Sequence, residues 1–331
     1  MAIGSGLGSS FGLSTETTYG TYVAPTTFLF HESADLQPTD GRVTAPTIKA
    51  GGLGPRAAHH VQTTYNASAD LKTDLVTKGL GKLWQAIMGG TSTSTSGASS
   101  SYTQVHTLDG TAKSLSLQTG RPLRSGASVI PATVVGAVVT SAEVSCDAND
   151  IAKLSVGFDG RKWDNSTALA TVSYPSPAPA VFTGLQSTLK IGTHAAETTL
   201  TGARSCSWKL SRKIDDADYT LDGTGLKGAP VLNDWYDLTG TISRDYLDKT
   251  AVEDLSLTTT PTSLNWSFTG GLIGGGIYYK VTFDVPSVIF EPKAQTIAGP
   301  KELTSDWSWK WYDDDSGNLP TVTIITTDTA L

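Results

Sequence analysis

From about Gln62 onward, apolar and polar residues alternate along most of the chain, and no other feature constrains the fold as strongly. Successive side chains of a strand point to opposite faces, so this alternation marks strands with one covered face. Val138, Ala142, Val144 and Cys146 share a face. Leu154, Val156 and Phe158 share another after the turn Asp147 to Asp150, and the two runs predict a hairpin. The same pattern recurs at Tyr65, Ala67, Ala69 and Leu71, at Leu115 and Leu117, at Cys206, Trp208 and Leu210, and at Tyr236, Leu238, Gly240 and Ile242. Leu264, Trp266 and Phe268 pair with Ile277, Tyr279, Val281, Phe283 and Val285 across the turn GGLIGGG, and Pro286 is expected to end that run. Trp307, Trp309 and Trp311 fall on one face before a last strand around Val322 and Ile324.

One segment has a different period. Leu80, Leu83, Trp84, Ile87 and Met88 recur at helical spacing, which predicts an amphipathic helix over 78–88, capped by Thr77 and stopped by Gly89 and Gly90. The fold class is therefore all-β with one short flanking α-helix: two packed antiparallel sheets, as a sandwich or barrel, with an extended N-terminal arm and loops.

Residues 1–61, the tract TSTSTSGASSS at 91–101 and the segment 173–180 lack that alternation. The chain divides accordingly into an arm and extended loop, 1–61, and a β domain, 62–331. Phe11, Tyr19, Tyr22, Phe28 and Phe30 are spaced through the polar arm with little nearby to bury them. The arm and the tract are expected to be mobile in a lone subunit and to order against a neighbouring one.

Lys and Arg number 24 against 31 Asp and Glu, a net charge of -7, the wrong sign for a protein that grips phosphates. Arg204, Lys209, Arg212 and Lys213 read as a solvated strand end. The N-terminus has neither the cationic start nor the apolar core of a secretion signal, and no stretch approaches the ~20 apolar residues of a membrane span. Cys146 and Cys206 are expected to be reduced, half-buried thiols.

No G-x-S-x-G, H-E-x-x-H, P-loop or C-x-x-C occurs, so no common nucleophile, zinc, phosphate or redox signature is present. The adjacent His59 and His60 point apart on an extended chain. Asp215, Asp216 and Asp218, and Asp313 to Asp315, read as turns. No catalytic residue, metal or cofactor is expected.

Four blocks together resemble the major tail tube proteins of long-tailed, non-contractile bacteriophages. They are FGLSTETTYGTYVAPTTFLFHESADL, with its Glu-Thr-Thr-Tyr-Gly element; GAVVTSAEVSCDANDIAKLSVGFDGRKW; WYDLTGTISRDYLD; and the C-terminal block from Tyr278 to the Thr-rich tail. The resemblance implies a non-enzymatic virion protein, assembled in the bacterial cytoplasm, whose first partner is itself: six-fold rings stack into a tube. It further implies a tape measure protein, a tail terminator and tail tip proteins as partners, and viral DNA passing through without specific binding. With the acidic charge, it makes Glu143, Asp150, Asp237 and Asp245 lumen-facing candidates and predicts a net negative lumen. Two other readings share the fold class: a capsid decoration or immunoglobulin-like adhesion protein, and a carbohydrate-binding module that stacks sugars on Trp307, Trp309 and Trp311.

Overall fold

The computed structural model describes residues 6–90, 92–123, 128–295, 297, 299–300 and 302–329. Residues 1–5 of the expected arm and Thr91 at the head of the expected tract lie outside them. Half of the chain is strand and 8% is helix. Most strands join one large antiparallel sheet, beside two small sheets: Gly41–Thr44 with His60–Thr64, and Ile214–Asp215 with Val231–Leu232.

The strand Val129–Asp147 holds the large sheet together. Its first half pairs with Leu115–Pro122 and Lys162–Asp164, and its second half lies between Lys153–Gly160 and Ala203–Ser211. The exchange of neighbours occurs at Gly136, in a register break between Val134 and Ala137. Gly136 has φ +64°, and a Cβ there would lie 2.7 Å from the Arg161 side chain and 3.1 Å from the Tyr19 ring, so glycine is required twice over. Beyond Ala203–Ser211 the ladder continues through Asp237–Asp245 and Thr304–Trp311 to the end of Ile277–Phe290. That strand pairs on its other edge with Thr262–Gly274, and Thr321–Thr326 links it to Tyr102–Thr107.

The two sheets expected from the alternation are thus one sheet folded over a shared core. Trp208 and Phe283 stand on strands that do not pair, yet their rings are 5.5 Å apart. Trp84 from the helix meets both edge-on, at 6.0 and 5.5 Å, and Trp266 lies 5.4 Å from Phe283. All four rings are buried. Tilted and edge-on contacts set the positive ring edge against the negative ring face, which adds to the gain from excluding water.

The helix runs Gly81–Met88, shorter than expected, with its predicted stripe buried. Thr77 is not its cap. Leu80 holds that position without a side-chain hydrogen bond, and the Thr77 hydroxyl accepts from the Ala180 amide instead (3.0 Å). A second helix, Glu253–Ser256, is too short to show a period in sequence. Pro286 does not end its strand, which continues to Phe290. It sits where the strand leaves Thr321–Thr326 at Asp284 and meets Thr304–Trp311 at Val288, so its missing N–H costs no ladder bond to either.

The N-terminal segment departs most from expectation. Ser10–Thr15 is a ladder strand between Leu115–Pro122 and Thr27–Leu29, and Ser33–Pro38 pairs with Ala67–Asp74. Glu16 follows the first strand, and its buried carboxylate accepts from the Gly20 and Gly136 amides and the Ser116 hydroxyl, each at 2.8 Å. The Glu-Thr-Thr-Tyr-Gly element is therefore a clamp that ties the first strand to the bend at Gly136. Ser92–Ser96, within the expected loop tract, forms a hairpin with Tyr102–Thr107.

Candidate assembly surfaces

Four adjacent strands carry an outward face of hydroxyls and balanced charge. Glu143, Lys209, Thr239 and Lys310 are successive cross-strand partners, and beside them the Ser207 and Thr241 hydroxyls meet at 2.9 Å. Of the acidic candidates, Glu143 lies 3.8 Å from Lys209, Asp237 2.7 Å from Lys310, and Asp245 2.5 Å from Arg204. Asp150 is elsewhere, in the turn after Asp147, where its carboxylate accepts from the Ile151 amide (2.7 Å). These exposed pairs add little stability, but each places a cation beside an acid that would otherwise repel phosphate. Arg212 does not belong to that solvated strand end. It is buried and donates to the Ala86 and Ile87 carbonyls at the end of the helix (3.4 and 2.9 Å), with its guanidinium 5.4 Å from the Tyr236 ring centre.

Of the expected arm aromatics, Phe11 and Phe28 are buried in this chain's own core. Tyr19 packs under the Arg161 guanidinium at 5.4 Å, and Tyr22 is half-buried. Phe30 is exposed and stacks on Tyr174, 4.8 Å between ring centres. The premise that these side chains lack cover within the subunit fails for Phe11 and Phe28, because Leu115–Pro122, far away in sequence, receives the first strand, and Thr27–Leu29 pairs along that strand's other edge.

The uncovered part of the N-terminal segment is the hairpin Gly41–Thr64. From residue 42 to residue 63 every side chain but His59 is exposed, and Ile48 is 100% exposed. Leu53 is equally bare. Covering each would contribute on the order of 1.5–3 kcal/mol. Sequence reasoning absorbed both residues into a general arm, although two aliphatics among Gly, Pro and basic residues were a usable signal.

A cleft of about 990 Å³ opens beside the small sheet Ile214–Asp215/Val231–Leu232. Trp235, Tyr236, Trp311 and Tyr312 line it, and Trp235 is 87% exposed. This surface too was missed, because its aromatics come from separate segments. Trp307 and Trp309 are buried, so the three-tryptophan sugar platform does not exist.

His194, Glu197 and Asp284 form the one grouping with metal-ligand proximity among the described residues, their ligand atoms within 4.8 Å of one another. Glu197 already accepts from the Ser263 hydroxyl and the Ala195 amide, at 2.7 and 3.0 Å. Burial opposes its ionised form but is outweighed by these donors, and its pKa falls. Burial raises that of Asp284. Cys146 and Cys206 are cross-strand neighbours, free and buried, and burial pushes the Cys146 thiol up to about 11.

The uncovered features of this strand-rich chain, among the described residues, include a projecting hairpin, an aromatic cleft and a hydroxylic sheet face. The phage tail tube protein family model matches residues 6–310, and the chain belongs to that family. It is a structural, non-enzymatic component of the phage tail, and hence of the virion. A search of curated proteins finds no match. No helix among the described residues is long and apolar enough to cross a membrane.

Proposed function

We propose that this chain is the major tail tube subunit, which self-assembles in the host cytoplasm into stacked six-fold rings whose channel conducts viral DNA. The observation that carries this reading is the hairpin Gly41–Thr64, a segment that reaches out of the folded subunit with Ile48 and Leu53 bare. A lone soluble subunit gains nothing from such exposure, whereas a polymer covers it at every joint. Docking on a neighbour, expected of the whole N-terminal arm, is assigned here to this hairpin and to Phe30.

The hydroxylic face with Glu143 and Asp245 suits the channel wall, with the Asp237–Lys310 pair at its margin, where the face meets the cleft. Its acids are balanced by Lys209 and Arg204, so it carries no basic stripe to hold phosphate, and the overall charge of -7 makes the assembly mildly repulsive to DNA. Tape measure, terminator and tip proteins then set the length and ends of the tube. Negative-stain microscopy of purified protein tests the proposal: long hollow tubes are expected, and a monodisperse monomer at all concentrations would overturn it. Tight, salt-sensitive DNA retention by preformed tubes in a gel-shift assay would overturn the assignment of the channel wall.

A further inference from the structure

We infer that the hairpin Gly41–Thr64 of one copy docks into the aromatic cleft beside Trp235 on a second copy; this rests on the tube reading and names the two surfaces that form the joint. The hairpin carries Arg42, Lys49 and Arg56 and no acidic residue. The cleft presents Asp109, Asp234, Asp237 and Asp313 against only Lys213 and Lys310. The charges are complementary in this pairing and would repel in the hairpin–hairpin and cleft–cleft alternatives.

The apolar parts also match. The hairpin brings two bare aliphatic side chains, Ile48 and Leu53, and the cleft offers a wall of Trp and Tyr, the residue types that anchor interfaces most strongly. Trp235 and Tyr312 are exposed in the lone subunit, as an unfilled socket requires. Different surfaces meet on the two copies, so the contact is head-to-tail. Such contacts generate rings or open-ended filaments rather than closed dimers.

Two full-length variants test this. Ile48→Asp with Leu53→Asp disables the hairpin, and Trp235→Ala with Tyr312→Ala disables the cleft. All four positions are exposed, so both variants are expected to fold, as checked by circular dichroism and melting temperature. Each alone is expected to raise the protein concentration needed for tube formation by roughly 30-fold or more, the factor typical of losing an interface anchor. An equimolar mixture is expected to give dimers in analytical ultracentrifugation, because one intact hairpin then meets one intact cleft, but no tubes. As a measurement independent of assembly yield, Leu53→Cys mixed with Trp235→Cys is expected to form an intermolecular disulfide under mild oxidant. Wild-type tubes together with unimpaired assembly of either variant, or no disulfide, would overturn the docking and leave the tube reading intact. Wild-type protein that never assembles would overturn both.

Discussion

Lys227, only 1% exposed, donates its ammonium to both carboxylate oxygens of Asp159, itself 12% exposed, and to the side chain of Asn66 (2.8 Å). The pair fastens the long connection before Val231 to the sheet, and Arg161 Nε reinforces it by donating to the Lys227 carbonyl (2.9 Å). Removing one partner of a buried pair strands the other charge. Lys227→Met is expected to cost about 3–5 kcal/mol by urea denaturation, and Lys227→Met with Asp159→Leu to cost less than the single change. A double variant weaker than the single one would show that the charges stabilise beyond their own desolvation.

Arg212 stands at the end of the helix, where unpaired carbonyls carry partial negative charge. Burial disfavours its charged form and lowers its pKa against the opposing pull of Tyr236 and Asp109, while the Ala86 and Ile87 carbonyls accept its hydrogen bonds. Arg212→Met is expected to destabilise the subunit by about 2–4 kcal/mol. It should also speed amide exchange across Gly81–Met88 more than elsewhere, measured by hydrogen-exchange mass spectrometry.

His106 is buried, with Ser92 Oγ 2.8 Å from its Nδ1, and burial lowers its pKa to about 4 from an ordinary 6.5. Above pH 6.5 the ring is neutral folded or unfolded. As pH falls from 6.5 towards 4 only the unfolded chain takes the proton, so this contribution is lost progressively, on the order of 3 kcal/mol in all. His106→Leu is expected to flatten the fall of melting temperature between pH 6.5 and 4.5. Parallel curves for variant and wild type would assign the acid sensitivity to other groups.

Glu16 accepts three hydrogen bonds in a buried site. Glu16→Gln sets its NH2 donor either against the Gly20 amide or against the Gly136 amide and Ser116 hydroxyl, and is expected to cost about 2–4 kcal/mol. The loss should appear first as proteolytic cleavage between Ser10 and Thr26, before the rest of the sheet opens.

Much of this fold was legible because its signal is local. The alternation at Leu154, Val156 and Phe158, and at Cys206, Trp208 and Leu210, names the buried face directly, and the stripe Leu80 to Met88 names the helix. What failed depends on partners distant in sequence. Phe11 looked unburied because Leu115–Pro122 is invisible from its neighbourhood, and Arg212 looked solvated because the carbonyls it serves lie more than a hundred residues away. Pro286 read as a stop because sequence does not show that its strand changes neighbours there. The cleft is the extreme case, with Trp235 and Tyr312 brought together only by the ladder between Asp237–Asp245 and Thr304–Trp311.

The bent strand Val129–Asp147 bears on how a tail carries load. It is covalently continuous through the bend, with half its length bonded to Leu115–Pro122 and Lys162–Asp164 and half to the main wall. A pull on Ser10–Thr15 passes through Leu115–Pro122 into this backbone and then into the wall, where neighbouring ladders resist in shear and many hydrogen bonds must fail together. On the proposed tube reading the subunit is expected to resist as a unit, so a tail assembled from it bends at the joints between copies while each wall keeps its shape.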